Sequence, residues 1–330
     1  ECQVSVATVS KALNDHADIS EERKKMIREK AEEMGYRPNL FARTLKTNRS
    51  YNIGVLFTDA EHNGLTHDYF AAVLDSFKVA ARDYDLTFVN CGGSGGKRMT
   101  YLEHARYRGF DGIMIACVDF SEPEVLQLAL SDIPVVTIDY IFNDRLAVVS
   151  DNAKGMEDLF TYIYQMGHRR IAYIHGTDSA VTTNRLSSFY RTAEKLGVEI
   201  PDEYVMMTRY RDTKGAGEAT EKLLDLRRPP TCIIYPDDFA AFGGIHVIRE
   251  RGMSIPEDIS IAGYDGIRLA KLTVPNLTTL CQDTQHLGQY AAEKLIDLIE
   301  KPKTAMRNIT IVQGKLYEGQ TVLKLDGSRG

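Results

Sequence analysis

The chain has 330 residues, of which 26% are charged and 43% hydrophobic, and its formal net charge is −6. This length allows two or three domains with large cores, and the acidic balance excludes a chain that wraps nucleic acid along its whole length. Five cysteines without a CxxC pair are typical of a reducing compartment, and the absence of an 18-residue apolar run predicts no membrane span.

The first predicted element is a short helix in the stretch at positions 4–14, VSVATVSKALN. Ser5 is the expected N-cap, and Val6, Val9 and Leu13 follow at helical spacing. The rest of this helix is small, polar and basic, with Ala7, Thr8, Lys11 and Asn14. Such a helix suits the major groove of DNA, where its N-terminal end meets base edges and hydroxyls meet phosphates. An ordinary amphipathic surface helix is the alternative.

A second helix is expected from Ser20, with a buried stripe at Ile27, Ala31 and Met34 and a stop at Gly35. A third, short helix follows Pro38 and runs to about Lys46. Its Leu45 is either a minor-groove wedge or a residue packed on the protein. Residues 1–50 hold ten Lys and Arg against eight Asp and Glu, so this segment is +2 within an acidic chain.

From residue 51 onward the sequence alternates strands and helices. The predicted strands are 53–57, 86–90, 112–116, 135–138, 171–175, 232–235 and 259–262. The predicted helices between them are 69–83, 123–130, 155–166, 184–196, 215–226 and 239–251. This alternation predicts an α/β body of two doubly wound parallel-sheet subdomains. Ligands bind such sheets at the carboxyl ends of their strands, so the expected site is the cleft between the subdomains.

Polar and aromatic residues follow several of these strands. Carboxylates that accept hydroxyl protons, an arginine that donates, and aromatic faces together suit a polyhydroxylated ligand. An aspartate at a strand end is equally able to cap the next helix, and Asp238 is interpreted in that way. The candidate ligand residues are Tyr69, Phe70, Asp139, Tyr140, Arg185, Asp237 and Asp265.

Two other patterns carry no catalytic or cofactor chemistry. The glycine-rich segment at 91–98 lacks the spacing and the Ser or Thr of a phosphate-binding loop, so it is interpreted as a strand–helix loop. The eight histidines are scattered without metal-ligand spacing. We therefore expect no enzyme activity, no cofactor and no metal.

The chain resembles the lactose-repressor (LacI/GalR) family of bacterial regulators. The resemblance is carried by the head motifs at 4–57 and by DGIMI, GHRRIAYIHG, PDDFAAFG and IPEDISIAGYDG, so it covers nearly the whole chain. It implies a helix-turn-helix head at 1–50 with a hinge helix at about 39–47, and a periplasmic-binding-protein-like body at 51–330. The N-subdomain is expected at about 51–149 plus 282–312, and the C-subdomain at about 150–281 plus 313–330.

The resemblance also assigns roles residue by residue. It implies base contacts by Val6, Ala7 and Lys11, phosphate contacts by Thr8, Ser10, Asn14 and Tyr36, and minor-groove contacts by Leu45 and Lys46. In the cleft it implies effector contacts by Arg185 and Asp265, with Asp237, Tyr69 and Phe70 in positions that some members use.

The sequence departs from the family pattern in two places. Members of the family begin the head with another helix, about a dozen residues before the stretch at 4–14, so the chain as given is expected to bind DNA poorly. The segment Glu61–His67 is longer than usual and borders the expected cleft.

These features predict a cytoplasmic, ligand-responsive transcription regulator that acts as a repressor. The expected partners are operator DNA, a small-molecule effector of the sugar class and a second copy of the chain. No association with a membrane is expected. A homodimer would read a near-palindromic operator. The alternative is the solute-binding protein of a sugar transporter. A Rossmann-type enzyme is disfavoured because Thr58-Asp59-Ala60-Glu61 replaces a glycine fingerprint after the first strand.

Overall fold

The computed structural model describes residues 4–13, 15–36, 49–58, 64–90 and 98–325. The chain divides into two compact units, Glu1–Tyr51 and Asn52–Gly330. The first unit contains helices α1 (Val6–Leu13) and α2 (Glu21–Glu33). The predicted hinge helix at about 39–47 lies outside the described residues.

Helix α1 begins as predicted, but the first residue of its expected apolar stripe is exposed. The Thr8 amide donates to Ser5 Oγ at 3.1 Å, so Ser5 is the N-cap. Ala12 is fully buried, whereas Val6 is 87% exposed, so the expected apolar stripe is wrong at Val6. Val6 is the first residue of the helix, and a side chain at this position covers the turn before the helix.

Helix α2 also confirms its start and corrects one residue. Ser20 is the N-cap residue, and Gly35 has the left-handed φ of +61° that ends many helices. Ile27 is buried as predicted, but Met34 is 56% exposed because the helix has already ended at Glu33. Lys24 is buried instead, with its ammonium on Glu21 and Asp15 at 2.6 and 3.0 Å.

The second unit contains two six-stranded sheets. The first sheet has the order β11-β5-β4-β3-β1-β2 and is parallel throughout. The second has the order β12-β10-β9-β8-β6-β7, in which only β12 is antiparallel to its neighbour. The strands of the first sheet are β1 (Asn52–Phe57), β2 (Asp85–Phe88), β3 (Gly112–Ala116), β4 (Val135–Ile138), β5 (Leu146–Ser150) and β11 (Ile309–Val312). Those of the second are β6 (Ile171–His175), β7 (Val205–Met207), β8 (Cys232–Ile234), β9 (Ser260–Asp265), β10 (Thr278–Cys281) and β12 (Lys315–Tyr317).

Helices cover both sheets. They are α3 (Asp68–Ala80), α4 (Tyr101–Arg108), α5 (Pro123–Ala129), α6 (Asn152–Gln165), α7 (Ala180–Lys195), α8 (Thr213–Leu224), α9 (Asp238–Glu250) and α10 (Thr284–Glu300). Of these, α3 packs on α10, α6 on α7, and α8 on α9. Strands such as β3 and β4 are buried along their whole length, as parallel strands covered on both faces must be.

The two sheets organise the unit into two subdomains, which we call the N-subdomain and the C-subdomain. The chain passes from the first sheet to the second after β5, returns after β10, and crosses once more after β11. The predicted α/β architecture with two doubly wound sheets is confirmed. None of the helices described here is both long and apolar enough to cross a membrane.

Candidate functional site

A cavity of about 630 Å³ lies at the strand ends of both sheets. Six of the seven predicted ligand residues line it, namely Tyr69, Phe70, Asp139, Tyr140, Arg185 and Asp265. Three of the lining residues, Cys117, Asp139 and Asp265, have positive φ angles of 53°, 56° and 100°. Such backbone conformations are uncommon for residues other than glycine and concentrate at functional sites. These uncommon backbone conformations at the strand ends therefore mark the cavity as a candidate functional site.

Asp139 is the acidic centre of the N-subdomain side. Its Oδ2 accepts a hydrogen bond from the Tyr69 hydroxyl, and its Oδ1 accepts the Ser150 amide at 2.7 Å. Burial and the neighbouring Asp139 charge raise the pKa of Tyr69, so this phenol stays a donor at neutral pH. Each carboxylate oxygen has a further lone pair, and Asp139 is thus an oriented acceptor for a ligand hydroxyl.

Arg185 is the cationic centre of the C-subdomain side and is only 3% exposed. Its Nε donates to Asn152 Oδ1 at 2.7 Å, and its Nη1 donates to the Pro236 carbonyl at 2.9 Å. The guanidinium stacks on the Tyr264 ring at 3.5 Å from the ring centre. These contacts fix the plane of the guanidinium and leave Nη2, 3.8 Å from Asp265 Oδ1, able to donate to a ligand.

Asp265 is the carboxylate that faces Arg185, and its side chain is 12% exposed. Its Oδ1 accepts from Gln282 Nε2 at 2.6 Å. Burial raises the pKa of Asp265 to about 6, although the Arg185 charge acts in the opposite direction. This carboxyl group therefore changes its charge in a mildly acidic range.

Aromatic rings complete the N-subdomain side of the cavity. Phe120 and Tyr140 are stacked, with ring centres 4.2 Å apart and planes within 9°. Tyr69 and Phe70 meet edge to face at 4.8 Å. Flat rings of this kind offer apolar faces beside the polar groups of Asp139 and Arg185.

The Asp237-Asp238 pair lies deeper than predicted and does not line the cavity. Asp237 Oδ1 accepts the Ala240 amide at 2.7 Å and its Oδ2 accepts the Arg211 amide at 2.8 Å, so Asp237 caps helix α9. The expected cap, Asp238, instead accepts from the Ile267 amide and the Thr279 hydroxyl. Both aspartates are almost completely buried. The geometry favours the capping interpretation for Asp237 over direct ligand contact.

The strand-end rule could have found further lining residues. Asp119 and Phe120 come soon after the predicted strand β3, so the rule that ligands bind at strand ends also points to them. Gln282 follows β10, a strand of four residues that the sequence analysis does not predict. Asn152, which orients Arg185, begins α6 and carries no sequence signal of that role.

In the first unit, the residues of α1 assigned to DNA have different exposure. Val6, Ala7 and Lys11 are exposed, whereas Thr8 and Ser10 are half-buried. The Lys11 ammonium forms an ion pair with Asp18 at 2.5 Å, and Tyr36 is 53% exposed. Asn14, Leu45 and Lys46 lie outside the described residues.

An acidic residue in the turn after α1 connects the two helices. Asp15 accepts from Lys24 at 3.0 Å and from Arg28 at 2.8 Å, and these cations lower its pKa. Its φ of +61° lets the chain reverse between α1 and α2. These ion pairs thereby join the turn after α1 to helix α2. Within the described part of the chain, no cluster of three His, Cys, Asp or Glu side chains could hold a metal ion.

Comparison with known proteins matches both units. Residues 1–39 match the family described as bacterial regulatory proteins, lacI family, and residues 160–322 match the periplasmic binding protein-like domain. The probable HTH-type transcriptional repressor ExuR of Bacillus subtilis (strain 168) is 31% identical over 310 residues, which cover 93% of this chain and 91% of that protein.

Solved structures share the fold. The lac repressor dimer bound to operator and the anti-inducer ONPF matches with a TM-score of 0.80 at 20% identity, over 98% of this chain and 96% of that chain. A complex of the transcriptional regulator CelR with cellobiose matches with a TM-score of 0.72 at 22% identity, over 97% of both chains.

The similarity to a repressor along nine tenths of both chains decides between the remaining classes of protein. It agrees with the capped helix α1 and with the two doubly wound sheets described above. The chain is therefore a DNA-binding transcription regulator, neither an enzyme nor a transporter's solute-binding protein, and it belongs to the lacI family of bacterial regulatory proteins.

Proposed function

We propose that the cleft binds a sugar or sugar derivative, and that this effector changes the affinity of the chain for operator DNA. The observation that carries the proposal is the placement of Arg185, Asp265 and Asp139 on one cavity beside aromatic rings. Arginine donates to ring and hydroxyl oxygens, and carboxylates accept from hydroxyls. The CelR complex, whose ligand is cellobiose, supports a saccharide in a body of this fold.

We further propose that the start of α1 contacts operator DNA and that a homodimer working in the cytoplasm is the binding species. The proposed base contacts are Val6, Ala7 and Lys11, and the proposed phosphate contacts are Thr8, Ser10 and Tyr36, together with Asn14, Leu45 and Lys46 of the undescribed segments. The lac repressor dimer on its operator supports both the partner and the two-fold arrangement.

A thermal-shift screen of the chain against sugars, sugar phosphates, nucleosides and purines tests the effector class. A ligand at a concentration of 100 times its Kd adds about 2.7 kcal/mol to the free energy of unfolding. This stabilisation produces a readily measured rise in Tm. Asp265→Ala should lose the rise produced by the sugar hit. Asp225→Ala is the matched control. Asp225 lies in an exposed ion pair with Arg251 and does not line the cavity, so this variant should keep the rise in Tm.

Two outcomes would contradict this proposal. A purine or nucleoside that raises Tm while every sugar is silent would replace the sugar class. A sugar response that survives Asp265→Ala unchanged would move the effector away from the cavity described above.

A further inference from the structure

An ion pair between Arg211 and Asp68 joins the two subdomains beside the cleft. Arg211 follows β7 of the second sheet, and its Nη1 donates to Asp68 Oδ2 at 3.0 Å. Its Nη2 donates to the carbonyl of Thr66 at 3.2 Å. Asp68 is the first residue of α3, which follows β1 of the first sheet. This contact is therefore made between side chains and backbone of different subdomains.

Arg211 is fixed within its own subdomain before it reaches across. Its amide donates to Asp237 Oδ2, the same carboxylate that caps α9. Its guanidinium lies 4.3 Å from the centre of the Phe239 ring, and the side chain is only 9% exposed. The residue has a φ of +59°, a backbone conformation that is uncommon for residues other than glycine. The Arg211 side chain is thus held in place within its own subdomain. It therefore loses less conformational entropy when it pairs with Asp68 than a mobile side chain would.

The position of this pair connects it to the ligand cavity on both sides. The residues just before Arg211, Arg209 and Tyr210, line the cavity, and so do His67 and Tyr69 on either side of Asp68. By contrast, the hydrogen bond of Tyr69 with Asp139 and the 3.8 Å ion pair of Arg185 with Asp265 each lie within one subdomain. Separation of the subdomains would break the Arg211–Asp68 pair and leave those contacts intact.

We propose that Arg211 and Asp68 form an interlobe pair, an ion pair between the two subdomains, that holds the ligand-free cleft closed. The pair also positions the two sides of the cleft for the effector. Its regulatory meaning rests on the effector function proposed above, since a ligand that contacts both subdomains would stabilise the same closed state. The pair itself acts without effector or DNA, so it is tested in their absence.

Hydrogen–deuterium exchange of the full, ligand-free chain measures cleft opening. The variants are Asp68→Asn, Arg211→Gln and the double variant. Arg251→Gln is the matched control, because Arg251 forms a bidentate pair with Asp225 inside the C-subdomain. The reporters are segments 117–121 and 177–181, which line opposite sides of the cavity. We expect exchange in both reporters to rise about fivefold or more in each single variant. The double variant should add little, because either substitution already breaks the pair.

A purely local role for Arg211 predicts a different pattern. Exchange would then rise only near residues 64–70 and 208–212, with both reporters unchanged, and this result would overturn the proposal. An equal rise in the reporters for Arg251→Gln would also overturn it. Arg211→Lys keeps the charge without the fork geometry, so we expect reporter exchange between that of the parent chain and that of Arg211→Gln. If the exchange experiment contradicts the interlobe pair, the proposed effector function still stands or falls on the sugar screen and its Asp265→Ala test alone.

Discussion

At the scale of single residues, the ligand cavity is built from groups that are costly to keep. Asp265 is a carboxylate whose side chain is only 12% exposed and whose φ is +100°, and Arg185 is a buried guanidinium beside it. Neither burial nor left-handed backbone favours folding for an aspartate in this position. A structural role would be filled at lower cost by an apolar residue. The retained charge is what a hydroxylated ligand requires, which is why these two side chains anchor the proposed site.

The raised pKa of Asp265 predicts a pH dependence of stability. Its pKa is about 6 in the folded chain against an ordinary value of 3.8, so between these values the folded state binds more protons than the unfolded state. The free energy of unfolding should therefore fall as pH rises from about 4 to about 6, by about 3 kcal/mol. Asp265→Asn removes this loss, and its stability relative to the parent chain should increase over the same range.

Urea denaturation followed by circular dichroism at several pH values between 4 and 7.5 measures this difference. Asp75→Asn, on the exposed face of α3, is the control. Parallel curves for the parent chain and Asp265→Asn across this range would show that the carboxyl group does not change its charge there.

At the scale of elements, a single side chain connects helix α9 to the loop that carries Arg211. Asp237 accepts one amide from each, so Asp237→Ala leaves the buried Ala240 amide and the half-buried Arg211 amide without their acceptor. We expect a loss of about 2 kcal/mol in the free energy of unfolding. Asp237→Asn keeps an oxygen for the Ala240 amide and should lose less. Equal losses for Ala and Asn, measured by urea denaturation, would contradict the capping role.

The elements also separate what the sequence predicts from what it does not. β3, β4 and β6 were predicted with their observed bounds, because continuous apolar runs between turns report burial on both faces. The edge strands β7, β11 and β12 were missed, since they have three or four residues and exposed positions. Short edge strands depend on a neighbour for their hydrogen bonds, and one sequence does not identify that neighbour.

The same reason explains the partial prediction of the cavity. Asp139, Arg185 and Asp265 follow from strand and helix ends together with the family resemblance. The stacking of Phe120 on Tyr140 and the hold of Asn152 on Arg185 join distant parts of the chain. The sequence places the helix cap at Asp238 and the structure places it at Asp237, because the helix starts one residue earlier than predicted. A shift of one residue exchanges a capping carboxylate for a buried one.

At the scale of the whole molecule, the chain separates DNA reading from ligand binding. The basic head residues lie in the unit Glu1–Tyr51, and the cavity lies in the unit Asn52–Gly330. A regulator built in this way needs a free energy of coupling between its two sites. Such couplings are typically about 1–3 kcal/mol, which is about 5–150-fold in affinity.

Coupling of this kind must be reciprocal. If the sugar hit changes the Kd for operator DNA by a given factor, operator DNA must change the Kd for that sugar by the same factor, because both describe one thermodynamic cycle. Fluorescence anisotropy of labelled operator with and without the sugar gives the first factor. Calorimetric titration of the sugar with and without operator gives the second. Asp265→Ala should abolish both shifts together, since the linkage requires effector in the cavity. Factors that differ beyond error would mean that the sugar also binds a second site or that the oligomeric state changes during one titration.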